Sequence, residues 1–178
     1  MQRLLLLTLI ASASTLVLGQ TNPAHIGYIQ TDMSSACRGG QLSVRHVSDD
    51  AAMGGLRQID YAFTNTSSSP CTLSGYPRFE LLNRSGQPRR GGRAVNREQL
   101  PGMEENQSPQ LVTLAPGQTA WFRVHHNSGG AGYVGKPCPT SPKVRITAPG
   151  IRRGFILREE IQSCREVEIS SVRSGLHE

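Results

Sequence analysis

From residue 41 onward, apolar and polar side chains alternate in short runs separated by Gly, Pro and Ser. The clearest run is 56–65, where Ile59, Tyr61 and Phe63 fall on one side and Asp60, Ala62 and Thr64 on the other. That period of two is what a strand with one buried face requires. Residues 41–47 repeat it, with Leu42 and Val44 opposite Ser43 and Arg45. Further strands are predicted at 79–83, ending in the turn Arg84-Ser85-Gly86-Gln87, and at 110–114, ending in Ala115-Pro116-Gly117-Gln118. The central Pro-Gly of the second turn fits type II. The run 119–126 turns Ala120, Phe122 and Val124 inward. Segments 143–148, 154–157 and 166–172 complete the set, with Val144 and Ile146, and then Val167 and Ile169, as inward pairs. The nearest helix candidate, 156–161, is too short to form an amphipathic helix of its own. Strands at this spacing, divided by turn residues, predict an all-β fold: an immunoglobulin-like antiparallel β-sandwich of about 7 to 9 strands.

The beginning of the chain follows another pattern. Arg3 precedes a mainly apolar run from Leu4 to Ile10, the small residues Ala11 to Ser14, and a second apolar patch, Leu16 to Leu18. One positive charge, a short apolar run and small residues near a cut site read as a signal peptide. Cleavage after Ala13 or after Gly19 suits a signal peptidase; Gly19 is preferred because Val17 and Gly19 then fill the two small-residue positions. No Cys follows the run to carry a lipid anchor, and no later stretch reaches the roughly 18 apolar residues of a membrane span. The expected organisation is a signal peptide over 1–19, a flexible polar leader over 20–36, the β-sandwich over 37–173 and a short tail over 174–178.

Cys37, Cys71, Cys138 and Cys164 all lie in the part expected to be exported, where an oxidising compartment favours pairing. A zinc site needs close pairs such as C-x-x-C, and no two of these lie within a few residues of each other, so no metal site is expected. Strand order suggests the pairing. Cys37 precedes the first strand and Cys71 follows the second, so an antiparallel pair brings them to one end of a sheet. Cys138 precedes the strand at 143, and Cys164 precedes the last strand after a returning segment. Two disulfides, Cys37 with Cys71 and Cys138 with Cys164, are therefore expected. The chain carries 19 basic and 13 acidic residues, a net charge of +6. That excess favours acidic partners through long-range attraction that salt screens.

Particular segments carry more than a pattern. LRQIDYAFTNTSSSPCTLSG over 56–75 continues into Tyr76 and Pro77, LAPGQTAWFRV spans 114–124, Cys138 follows in a loop, and Cys164 opens the closing strand. The run of Thr-Asn followed by C-T-L-x-G-Y-P is the most specific of these. In these segments the chain resembles the domain-of-unknown-function 4232 family of secreted or membrane-anchored bacterial domains, from about Cys37 to Val172. The resemblance implies a bacterial source, an extracytoplasmic place, a β-sandwich and no assigned activity, and it brings no catalytic residue to carry over. With such a source, the sequons at Asn65, Asn83 and Asn106 are coincidental. The departure is 84–109, a long basic loop.

Candidate sites follow from the alternation. If Phe122 and Val124 are buried, Trp121, Arg123 and His125 share the opposite face, where a Trp beside a cation and an imidazole suits sugar stacking or carboxylate recognition. The commoner fate of such a Trp is burial under a loop or a second sheet. His125 and His126 are adjacent and point to opposite faces, so they do not chelate one metal. The basic loop carries Arg84, Arg89, Arg90, Arg93 and Arg97, then Glu104 and Glu105. Its guanidinium groups suit an anionic glycan or lipid headgroups, although loops of this kind are more often simply solvated. Without interleaved aromatics it is not a nucleic-acid surface. The Gly-rich stretch 127–132 opens no helix and ends in no Lys, so it does not build a phosphate cradle. Neither G-x-S-x-G nor H-E-x-x-H occurs.

The leading expectation is an exported, non-catalytic binding or interaction module without a cofactor, whose envelope or extracellular partner is an anionic glycan or a protein. A second is an envelope structural or chaperone-like protein that pairs a sheet edge with another chain. A third is an uncharacterised hydrolase, which requires a cleft that brings a nucleophile to His46, His125 or His126.

Overall fold

The computed structural model describes residues 34–51, 53–103, 108–129, 134 and 136–175. The signal peptide, most of the leader, Glu104, Glu105 and the end of the tail lie outside the described residues. The strands are β1 (Leu42–Ala51), β2 (Leu56–Asn65), β3 (Cys71–Ser74), β4 (Arg78–Leu82), β5 (Pro88–Arg93), β6 (Val95–Asn96), β7 (Leu111–Leu114), β8 (Thr119–Asn127), β9 (Thr140–Ser141), β10 (Lys143–Thr147), β11 (Phe155–Leu157), β12 (Ile161–Gln162), β13 (Glu168–Ile169) and β14 (Arg173–Ser174). The fold is all-β, as expected. Its longest strands, β1, β2 and β8, lie where the alternation is clearest.

These strands form two principal sheets. The larger has the order β1-β2-β8-β13-β6, with β14 also pairing β8; the smaller has the order β11-β10-β4-β5. Two ribbons, β3-β7 and β12-β9, complete the set. All pairings between these strands are antiparallel except β13 with β6. Each principal sheet turns one face inward. Ile59, Tyr61, Phe63, Ala120, Phe122 and Val124 of the larger sheet share a core with Phe79, Leu81, Val144 and Ile146 of the smaller. Aromatic contacts join the layers, the rings of Tyr61 and Phe79 lying 5.7 Å apart and those of Tyr61 and Phe122 5.5 Å apart. The result is a sandwich whose inner positions are the ones the alternation marks.

The two disulfides join Cys37 to Cys71 and Cys138 to Cys164, as the strand order predicts. Leu42 faces Asn65, which brings the first pair to one end of the larger sheet. For the second pair the returning segment is β12, which places Ile161 and Gln162 beside Ser141 and Thr140. The main chain is already paired just before Cys37: Thr72 donates its N–H to the Ser35 carbonyl at 3.0 Å. The turn after β7 is as expected, with Gln118 N–H on the Ala115 carbonyl at 3.0 Å and Gly117 at φ 79°.

The expected loop over 84–109 is corrected. Residues Pro88–Arg93 form β5, an antiparallel partner of β4, and Val95–Asn96 form β6, which joins the larger sheet. The sequence PRRGGR has no apolar period, so nothing local marks it as a strand. Pairing with β4 recruits it instead. A Cβ on Gly92 would stand 2.9 Å from the Leu81 carbonyl oxygen, so close approach of the two backbones needs glycine there.

Candidate ligand-binding cavity on the outer sheet face

β8 is central to the larger sheet, with β2 on one side and β13 and β14 on the other. Its outward alternates are Trp121, Arg123 and His125. All three are buried, because the chain around 97–103 crosses over this face. That crossing is held by Gln58 Nε2 on the Pro101 carbonyl at 2.9 Å, by Arg123 Nη1 on the Gly102 carbonyl at 3.2 Å, and by burial of Leu100.

The three side chains do different things. Arg123 makes a bidentate pair with Asp60, its direct neighbour across β2, with Nε to Oδ1 and Nη2 to Oδ2 both at 2.8 Å. The hydrogen bonds to Asp60 raise the Arg123 pKa above its ordinary value. His125 faces Glu168 across β13, with Nδ1 3.2 Å from Oε2, and Arg97 Nε donates to Glu168 Oε1 at 2.8 Å. Desolvation works to raise the Glu168 pKa, yet the hydrogen bonds from Arg97 and His125 hold it below the usual carboxylate range. Arg123 thus sits in an ion pair and His125 in a hydrogen bond to Glu168, and both contacts tie strands together.

Trp121 opens on a cavity of about 290 Å3. The Arg123 guanidinium carbon lies 5.6 Å from the centre of the indole, within cation–π range. Met103 and Val112 add apolar wall; Gln110, Arg173 and the serines Ser108, Ser171 and Ser174 add polar wall. Arg173 is the direct neighbour of Trp121 across β14. An aromatic floor ringed by hydrogen-bonding groups suits a small ligand with one apolar face and several polar edges.

Arg89, Arg90 and Arg93 lie elsewhere, on β5 of the smaller sheet. Arg93 Nη2 is 3.5 Å from Glu80 Oε1. Burial lowers the pKa of Arg89. The remaining histidines are also separate. His46 Nδ1 lies 2.9 Å from Glu159 Oε1, beside an apolar groove between β1 and β11. His126 is buried, and desolvation lowers its pKa to about 4. Among the described residues, no serine hydroxyl is hydrogen-bonded to a histidine ring.

Sequence reasoning placed Trp121 on the right face but missed Gln110, Ser171 and Arg173, which reach the cavity from distant segments. It also missed Asp60 and Glu168 as partners of the candidate residues. The alternation of β2 did put Asp60 outward, and pairing β2 with β8 in register would have found its contact with Arg123.

Two facing, mainly antiparallel sheets, a disulfide at one end and a second beside the returning ribbon define a stapled all-β sandwich domain. Residues 37–172 match the model of the Domain of unknown function (DUF4232), and the chain belongs to that family. No curated protein was found to match it. The disulfides point to an oxidising compartment. Among the described residues, no helix is long and apolar enough to cross a membrane.

Proposed function

We propose that this is a bacterial, signal-exported, non-catalytic binding module that holds a saccharide ring carrying an acidic group in the Trp121 cavity. The observation that carries the reading is the lining of that cavity: the indole of Trp121 beside Arg173, Gln110 and three serines. Sugar rings present an apolar C–H face to an aromatic surface and hydroxyls to amides and hydroxyls, while a guanidinium suits a carboxylate. The Arg123–Asp60 ion pair and the His125–Glu168 hydrogen bond support the reading in another way, since they stiffen the sheet on which the indole sits and so preorganise the site.

Trp121 is the sole tryptophan of the chain, so its emission reports on the cavity directly. Titration of the oxidised mature protein with hexuronic acids and neutral hexoses is expected to give a saturable emission change that is stronger with the acids. Arg173→Ala and Gln110→Ala are each expected to weaken it about tenfold, the scale of one lost hydrogen bond to a ligand. If none of these sugars gives a saturable change, the reading is wrong.

A second reading, sheet-edge pairing, is favoured by β1, a ten-residue strand at the border of the larger sheet. Against it stand the register shift between His46 and Ser48 and the exposed Asp49 and Asp50, since bulges and charges both obstruct edge pairing. The cavity reading is preferred for that reason.

A further inference from the structure

We propose that the solvent face of the smaller sheet is a second binding surface, a docking plate for a linear acidic polysaccharide. The strands of this sheet bury Phe79, Leu81, Val144 and Ile146, so the alternate positions Arg78, Glu80, Lys143 and Arg145 face outward. Arg93 joins them from β5, directly across from Glu80. Glu80 is 4% exposed and is the hub: Arg145 Nη1 lies 3.3 Å from Oε2, Arg93 Nη2 3.5 Å from Oε1 and Arg78 Nε 4.0 Å from Oε2.

One close cation is enough to compensate one buried carboxylate, and Arg145 fills that role. It is anchored by a further bond from Nη2 to the Gly86 carbonyl at 3.1 Å. Gly154 leaves space for its stem, since a Cβ there would stand 2.8 Å from Arg145 Cγ. Arg78 and Arg93 exceed what neutralisation needs. Their side chains are 47% and 72% exposed, and exposed pairs of this kind add little to stability. With Lys143, the face carries four cations against one carboxylate. Such an excess repels itself unless an anion lies across it.

The register sets the shape of that anion. Arg93, Glu80 and Arg145 stand side by side on β5, β4 and β10, and Ile156 of β11 continues the row. Neighbouring strands are about 4.8 Å apart, so the row spans roughly 14 Å. A polymer with repeating acidic groups can cross it in an extended form and meet several guanidinium groups at once. No aromatic side chain faces outward among these positions, so stacked bases find no platform. Ile156 alone is too little apolar surface to enter a lipid layer.

The test uses the oxidised mature protein on immobilised polygalacturonate and dextran sulfate, with neutral dextran and anionic phospholipid vesicles as comparisons. Retention on one or both acidic polymers is expected, falling with salt and absent on neutral dextran. Arg78→Ala and Arg93→Ala should each weaken binding about tenfold. Arg45→Ala and Arg57→Ala, which remove the same charge from β1 and β2 of the larger sheet, should change it less than twofold. Equal losses from all four substitutions would reduce the effect to net charge and overturn the proposal. Binding to the vesicles but to neither polymer would overturn it in favour of a lipid surface, and absence of any binding would refute it outright. Retention through the cavity would change the Trp121 emission and be lost with Arg173→Ala but not with Arg78→Ala or Arg93→Ala, which keeps the two outcomes separate.

Discussion

At the scale of single residues, the polar groups of the larger sheet are organised as buried pairs. Asp60 and Arg123 are 3% and 6% exposed, and each is the other's charge partner in the interior. Asp60→Ala leaves the guanidinium uncompensated and should cost about 3–5 kcal/mol in urea unfolding. Asp60→Leu with Arg123→Met should recover most of that loss; a double variant no better than the single one would argue against the pair as the cause. His126 responds to pH. Burial lowers its pKa from 6.5 to about 4, so the folded protein keeps the ring neutral while the unfolded chain takes up a proton. Its contribution to stability is therefore complete above about pH 6.5 and is lost as pH falls toward 4, by up to about 3 kcal/mol. Unfolding midpoints at pH 7.5 and 4.5 should differ less in His126→Gln than in the wild type. The alternation predicted which side of its strand each of these residues occupies. It could not predict the partners, because Arg123 finds Asp60 through pairing between segments far apart in the chain. Asn65, at the end of β2, is fully buried, and its amide donates to the carbonyls of Ser69 nearby and of Leu114 far along the chain.

At the scale of elements, legibility follows from whether a strand must bury one face by itself. β2 and β8 carry large apolar residues at every second position, so they are evident without neighbours. β5 and β6 are not, because backbone hydrogen bonding to strands already in place holds them. β13 lies within the segment 166–172 that the inward pair Val167 and Ile169 marks, whereas β14, two residues long, becomes a strand only beside β8. The β4–β5 hairpin provides a direct check. Gly92→Ala would force its methyl group against the Leu81 carbonyl and Cβ, so it should destabilise the protein by about 1–3 kcal/mol. Gly91→Ala is a useful comparison. Its surroundings are open, but its φ of 67° resists a side chain, so its cost should come from backbone strain alone and be smaller. Thermal unfolding of both variants distinguishes close approach from conformational strain.

At the scale of the whole molecule, the staples and the core act on different states of the chain. The disulfides close loops with sequence separations of 34 and 26 residues. Loop-closure entropy assigns each about 3–4 kcal/mol, mainly by restricting the unfolded chain. Complete reduction should therefore lower the denaturant midpoint strongly. Cys138→Ser/Cys164→Ser should retain a folded core, since the sheets pack through residues other than these; collapse of that variant would mean that the second staple is required for folding itself. By itself, the sequence determined the all-β class, the inward residues of the long strands and both cysteine pairings. Those properties follow from a local period of two and from the way antiparallel neighbours bring their ends together. Only the tertiary structure decided that residues 88–93 and 95–96 are strands, that Arg123 pairs with Asp60 and His125 bonds Glu168, and that Trp121 shares a cavity with Gln110, Ser171 and Arg173. It also decided that Glu80 gathers three arginines on the opposite sheet. These depend on register between distant segments, and register is set by the packing of the complete core, which no single stretch of sequence contains.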